Sequence, residues 1–278
     1  MTSFSSPAAR DSAGPAAVHV RAAAMTYPDG TQALRPIELR VEPGDFTTLL
    51  GPSGCGKSTL LKMIAGLLAP SEGHVERASR AAGAAGEAEP RIGFVFQAPT
   101  LMPWASVAAN VRLPLELAGA ARAQARERAA RALERVGLQG FASALPHALS
   151  GGMQMRVSIA RSLVIEPELL LLDEPFGALD EITRNALDME LLELWRDRRF
   201  AVVFVTHSIQ EAVLLSRRVI TMAARPGRLL EELHIDEPYP RDPDFAVSER
   251  FARYARRLQQ SLQRASRETQ AAPAAPPA

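Results

Sequence analysis

Residues 51–59 read Gly-Pro-Ser-Gly-Cys-Gly-Lys-Ser-Thr: Gly, four residues, Gly-Lys and then Ser, the pattern of a phosphate-binding loop. Its flanks have the character this pattern requires. Asp45-Phe-Thr-Thr-Leu-Leu50 is short, apolar and β-prone, which predicts a buried strand. On the other side Leu60, Ile64, Leu67 and Leu68 recur at helical spacing, which predicts a helix. Glycines at 51, 54 and 56 let the backbone curl tightly with its N–H groups inward, where side chains would obstruct it. Those N–H groups and the positive end of the following helix form an anion site. In this chemistry Lys57 reaches the β- and γ-phosphates of a nucleotide, and Ser58 offers its hydroxyl to Mg²⁺. Thr59, in the first helical turn, meets the α-phosphate. Gly51, Pro52, Ser53, Gly54, Cys55, Gly56, Lys57, Ser58 and Thr59 are thus the candidate nucleotide contacts of the loop.

A chain of 278 residues, 47% hydrophobic and 23% charged, has the composition of an ordinary globular protein with a substantial core. A formal net charge of +1 offers no electrostatic case for wrapping nucleic acid. The single cysteine, Cys55, excludes disulfides within the chain and fits a reducing compartment. At a helix N-terminus Cys55 is either a low-pKa reactive thiol or a small residue that fits the loop. No apolar run approaches the roughly 20 residues of a transmembrane helix, and residues 1–15 lack the apolar core of a signal peptide. A membrane is therefore expected to be reached only through a partner.

Residues 1–16 and 268–278 have the composition of disordered ends. From Val18 to Val41, alternating apolar residues with a turn at Tyr27-Pro-Asp-Gly30 predict antiparallel strands. Tyr27 is placed either to stack on a base or to cap this hairpin. The segment 76–90 is rich in Ala, Gly and Glu without periodicity and reads as an exposed loop. Ile92-Gly-Phe-Val-Phe96 predicts a strand ending at Gln97. From about 100 to 160, Ala, Arg and Leu at helical spacing predict an inserted helical subdomain. Its arginine-rich stretch 120–135 carries Glu127 and Glu134, which favours a solvated helix face over a nucleic-acid surface. Leu169-Leu-Leu-Leu172, capped by Asp173-Glu174, predicts a fully buried strand, followed by a helix with Leu187, Leu191, Leu194 and Trp195 on one face. Ala201-Val-Val-Phe-Val-Thr206 predicts another buried strand, with His207 just past it. Residues 218–235 predict a closing pair of strands. Val247, Phe251, Tyr254, Leu258 and Leu262 predict an amphipathic helix within 241–267, docked on the body rather than lying on a membrane.

Strands alternating with helices imply a mainly parallel sheet whose ligands bind at the C-terminal strand ends. Gln97, Asp173, Glu174 and His207 all stand just past such ends. A dry, rigid strand would aim Asp173 at Mg²⁺ beside the phosphates. Glu174, next in line, would deprotonate the attacking water. Ser150, Gly151 and Gly152, at a predicted helix start in Leu149-Ser-Gly-Gly-Met153, form a second anion site.

Together these residues resemble the ATP-binding subunits of ABC transporters, from about Val18 to at least Ile235. The decisive motif is Leu149-Ser-Gly-Gly-Met153, the signature of that family. The resemblance implies an α/β fold: a P-loop NTPase core with a mainly parallel sheet, an antiparallel β subdomain and an inserted helical subdomain, spanning residues 17–240. It implies an ATPase using ATP and Mg²⁺. Glu174, His207 (the switch histidine) and Gln97 (the Q-loop glutamine) would be catalytic, and Ser58, Gln97 and Asp173 would hold the metal. Tyr27 would stack on adenine, Asp180 would belong to the D-loop Gly177-Ala-Leu-Asp180, and the signature would close on ATP bound by a second copy in a head-to-tail homodimer. Leu101-Met-Pro-Trp104 and Leu149–Arg156 look most like the nitrate, sulfonate and taurine importers. That group implies integral membrane permease subunits, a periplasmic or extracellular solute-binding protein, no nucleic acid, and a place on the cytoplasmic face of the cell membrane. Trp104 would then either meet the permease or belong to the subdomain core. The competing reading is an ABC-type ATPase of DNA repair or translation. Such proteins usually carry a long insertion or a second set of motifs, neither of which this sequence has.

Overall fold

The computed structural model describes residues 16–78, 90–242 and 244–271. Two sheets organise them. The smaller is antiparallel, in the order β2 (Gln32–Val41), β1 (Val18–Thr26), β4 (Glu72–Arg77). The larger has the order β5 (Ile92–Val95), β6 (Leu169–Asp173), β7 (Ala201–Thr206), β3 (Phe46–Leu50), β8 (Arg218–Ala223), β9 (Arg228–His234). Its first five strands run parallel and β9 closes it antiparallel. The central strands are buried on both faces, which is why β3, β6 and β7 read as unbroken apolar runs rather than alternating ones.

Helix α1 (Lys57–Ala65) packs Leu60, Leu61 and Ile64 on one face of the large sheet, together with Val18, Leu34 and Val41 of the small one. α5 (Glu181–Arg198) covers the opposite face through Leu187, Leu191 and Trp195, which meet Phe46 and Phe204. Between β5 and β6 stand α2 (Val107–Leu117), α3 (Arg122–Arg135) and α4 (Gly151–Leu163), with an apolar cluster of their own around Val111, Ala129 and Val157. α3 buries Ala125, Ala129, Ala132 and Leu133, and on its outer face Arg131 pairs with Glu127. α6 (Ile209–Leu215) and α7 (Glu249–Ala271) complete the body, with Phe251 and Leu258 packed on Leu50 and Val219.

Four local expectations change. β4 begins at Glu72 and takes in residues 76 and 77, which the sequence assigned to a loop; the pairing Val20↔Val75 and His19↔Glu76 makes it an edge strand. The rest of that expected loop, 79–89, lies outside the described residues, as do 1–15 and 272–278. Helix α1 stops at Gly66 in the left-handed conformation (φ 77°), so Leu67 leaves the predicted stripe and is 63% exposed. Val247 likewise sits in a 3₁₀ turn ahead of α7, 85% exposed, because Ser248 breaks the register between them. α7 itself runs on to Ala271, past the expected end at 267.

Candidate functional site

The parallel order β6-β7-β3 brings three strand ends to one edge, where Leu50 pairs with Thr206 and Asp173 with Val205. The 51–57 loop, Asp173-Glu174 and His207 therefore emerge side by side. Gly56 forms the N-cap of α1 at φ 91°, and a Cβ there would lie 2.4 Å from Leu34 Cδ2. Only glycine satisfies both the conformation and the close packing.

Lys57 is 4% exposed, and its Nζ donates to the carbonyls of Gly51 (2.8 Å) and Pro52 (3.0 Å). The same Nζ lies 3.5 Å from Glu174 Oε1, whose other oxygen is 3.0 Å from His207 Nδ1. Glu174 thus bridges the lysine and the histidine. Its backbone sits at φ 45°, a strained setting for a non-glycine residue, held by its N–H bond to Val205 O at 3.0 Å.

Ser58 Oγ donates to Asp173 Oδ1 at 2.9 Å. Burial pushes the Asp173 carboxyl above its ordinary range, opposed by the Ser58 hydrogen bond and raised further by Glu174. A partly dehydrated carboxylate beside a hydroxyl is the hard oxygen set a divalent cation favours. Gln97 stands exposed past β5, without a hydrogen bond to Ser58 or Asp173 among the described residues. Cys55 is fully buried, and burial raises its thiol pKa against the pull of Lys57. It is a packing residue of the loop, not a reactive thiol.

Tyr27 closes the turn of the β1–β2 hairpin, its N–H donating to Thr31 O at 2.9 Å. Its hydroxyl lies 3.3 Å from Thr59 Oγ1, so the ring stands beside α1 while still half-buried against the core.

Ser150 caps α4, accepting from Met153 N at 3.3 Å, and leaves the N–H of Gly151 at an exposed helix start. Gly152 is buried against α5, where a Cβ would meet Thr183 Cγ2 at 2.7 Å. Asp180 caps α5 through Thr183 N at 3.0 Å, and those hydrogen bonds hold its carboxyl below the usual range. Ser150 and Asp180 therefore lie on one surface joined through Gly152 and Thr183.

A model of the family described as ABC transporter matches residues 34–177. The chain belongs to this family. An uncharacterised ABC transporter ATP-binding protein of Methanocaldococcus jannaschii is 48% identical over 227 residues, 82% of this chain and 83% of that one. The aliphatic sulfonates import ATP-binding protein of Bacillus subtilis is 45% identical over 215 residues, 76% of this chain and 82% of that one. Among solved structures, a bacterial ABC transporter cassette determined as a dimer superposes with a TM-score of 0.69 at 33% identity, covering 80% of this chain and 100% of that one. CbiO1 of Clostridium perfringens, part of the ABC transporter complex CbiONQ, gives 0.70 at 28% identity, covering 92% and 99%. This ABC protein is accordingly an ATP-binding ATPase with the cassette fold, and among its described residues no helix is long and apolar enough to cross a membrane.

Three polar residues of this ABC ATPase escaped the sequence reading. Arg161 of α4 donates to Pro99 O (3.0 Å) and Thr100 O (2.9 Å), tying the signature helix to the segment after Gln97. Arg184 of α5 and Glu211 of α6 lie behind His207. Each works across a long sequence separation, and no local pattern marks such a pair.

Proposed function

We propose that this ATPase energises import of a small oxyanionic solute of the sulfonate, taurine or nitrate type through a separate membrane permease, with a solute-binding protein completing the system. The reading is carried by relatives named as sulfonate importers, 40% identical over 237 residues in Bacillus cereus and 45% over 215 in B. subtilis. A second support is Trp104. It is 79% exposed, so it is no part of the subdomain core, and it follows Gln97 in the segment that Arg161 anchors. An exposed tryptophan on a braced segment has the character of an interface anchor. Such a partner would place the ATPase at the cytoplasmic face of the membrane.

In the chemistry we assign, Lys57 and the loop N–H groups hold the β- and γ-phosphates, Thr59 the α-phosphate, and Tyr27 stacks on adenine. Ser58 and Asp173 would hold Mg²⁺, which supplies charge neutralisation on the phosphates. Glu174 takes the proton of the water that attacks the γ-phosphorus, as the bond to the ADP oxygen breaks. His207, 3.0 Å from Glu174 Oε2, fixes that carboxylate, and Gln97 senses the γ-phosphate side. Ser150, Gly151 and Gly152 act in trans on the nucleotide of a second copy, with Asp180 beside them.

The test is ATP hydrolysis by the chain reconstituted with its permease and binding protein. Sulfonate, taurine or nitrate should raise the rate severalfold over a sugar or amino acid, and an indifferent rate would exclude the import reading. Trp104→Ala should spare basal hydrolysis and melting temperature while removing solute stimulation. A variant that unfolds would instead return Trp104 to a structural role.

A further inference from the structure

Behind His207 lies a polar pair that the chemistry above does not use. Arg184 Nη2 donates to Leu179 O at 2.8 Å and its Nε to Phe176 O at 3.3 Å. Both carbonyls belong to the turn that leads from Glu174 to Asp180. The same guanidinium faces Glu211 Oε1 at 3.7 Å. Glu211, 5% exposed on α6, accepts through its other oxygen from the hydroxyl of Thr206. That hydroxyl oxygen also accepts from Ser208 N at 2.9 Å. The residues on both sides of His207 are thus pinned by one side-chain oxygen, which Glu211 holds.

We propose that Arg184 and Glu211 are positioning residues that act as one unit, coupling the 176–180 turn to the loop of His207. Movement of either segment then carries the other with it. This rests on the assignment of His207 and Asp180 to the nucleotide site.

The charges are consistent with a unit of two. Asp188, one turn beyond Arg184 and 1% exposed, leaves Oδ1 without a hydrogen-bond partner. Burial and then the charge of Glu211 push its carboxyl to about 8, against the pull of Arg184. Of the two buried carboxyls near Arg184, Glu211 is the one within ion-pair distance of the guanidinium. Glu211 is itself raised by burial, while its bond to Thr206 and the charge of Arg184 favour its ionised form. The guanidinium is also the only common side chain with forked donors that reach two carbonyls and a carboxylate together.

The experiment is a double-mutant cycle on the full chain with Arg184→Gln and Glu211→Gln, both close in size to the originals. Steady-state kcat and KM, ATP affinity and melting temperature are measured for each. Each single substitution should lower kcat about 10–100-fold, the range for a misplaced reacting group. KM and ATP affinity should stay within about twofold, and the double variant should be no worse than the poorer single. In nuclear magnetic resonance spectra of the five histidines, the His207 ring signal, identified by its loss in His207→Ala, should move in both variants. Arg184→Lys keeps charge without the fork and should behave like the Gln variant.

Multiplying losses, a stationary His207 signal, or near-normal kcat in the single variants would overturn the proposal. So would Gln variants that fail to fold beside an Arg184→Lys chain of normal activity, since the pair would then serve stability alone. Normal turnover in His207→Ala would instead remove the underlying site assignment, which separates the two failures.

Discussion

Two helix starts in this ABC ATPase carry glycine-rich anion motifs, and they face different surroundings. At α1 the start is crowded: Gly56 takes the N-cap position without a side-chain cap, and Lys57, Asp173, Glu174 and His207 gather around it. At α4 the start is finished by its own Ser150, and Ser150 and Gly151 stand exposed while Gly152 turns inward onto α5. The first brings its catalytic candidates from its own chain. The second leaves Ser150 and Gly151 at the surface, with Leu179 and Thr183 of the neighbouring segment behind them. In the function we propose, the same local chemistry serves two purposes: one end is furnished to react, the other to meet a second copy.

The largest effect that could break this comparison is at the furnished end. Glu174→Gln preserves shape and removes the base, so hydrolysis should fall about 10²–10⁴-fold while ATP still binds. Phosphate release close to the wild-type rate would deny Glu174 its role. Lys57→Ala comes next, acting on binding itself. Loss of a charged hydrogen-bond partner costs about 1.5–3 kcal/mol, roughly a 10–100-fold weaker dissociation constant for ATP. An unchanged constant from calorimetry would mean that the loop does not hold phosphates.

The outward end is tested by mixing two inactive chains, Lys57→Ala and Gly151→Asp. If sites are shared across a symmetric pair, a mixed dimer gathers both lesions at one site and neither at the other. Random exchange makes about half the dimers mixed, so up to roughly a quarter of the sites should recover. No recovery after demonstrated exchange, with dimers carrying one intact site known to turn over, would place the signature and loop of each site in the same chain.

An effect on stability rather than on turnover concerns α5, which backs the signature end and carries Asp188. Its carboxyl keeps its proton to about 8 in the folded chain, while the unfolded chain releases it near the ordinary 3.8. The folded state therefore binds more protons between those limits, and stability falls as pH rises through them, by at most about 1.4 kcal/mol per pH unit. Asp188→Asn should gain stability over wild type at pH 8 and lose that advantage near pH 4. Equal differences at both pH values in urea titrations would show that Asp188 is not held protonated.

What could be read along the chain was whatever a short stretch decides for itself. The phosphate loop, the leucine run of β6 ending in Asp173 and the valine-rich β7 ending in Thr206 each combine a local pattern with an obligatory backbone form. Burial on both faces leaves such strands few alternatives. β4 was not legible because an edge strand reading Glu-Gly-His-Val-Glu-Arg is mostly exposed and needs no apolar alternation. Leu67 and Val247 were misplaced because helical spacing continues in sequence where the backbone has already turned, at Gly66 and Ser248. Trp104 could be assigned to neither core nor surface until the packing of α2, α3 and α4 left it outside. The pairing of Arg184 with Glu211 belongs to the tertiary structure alone, whereas Ser58 and Asp173 were expected together as ligands of one metal and stand in direct hydrogen bond at 2.9 Å. Sequence specifies which groups are present and the local shape of the backbone, but the distances that turn them into a site come from the order β6-β7-β3 and the helices packed across it.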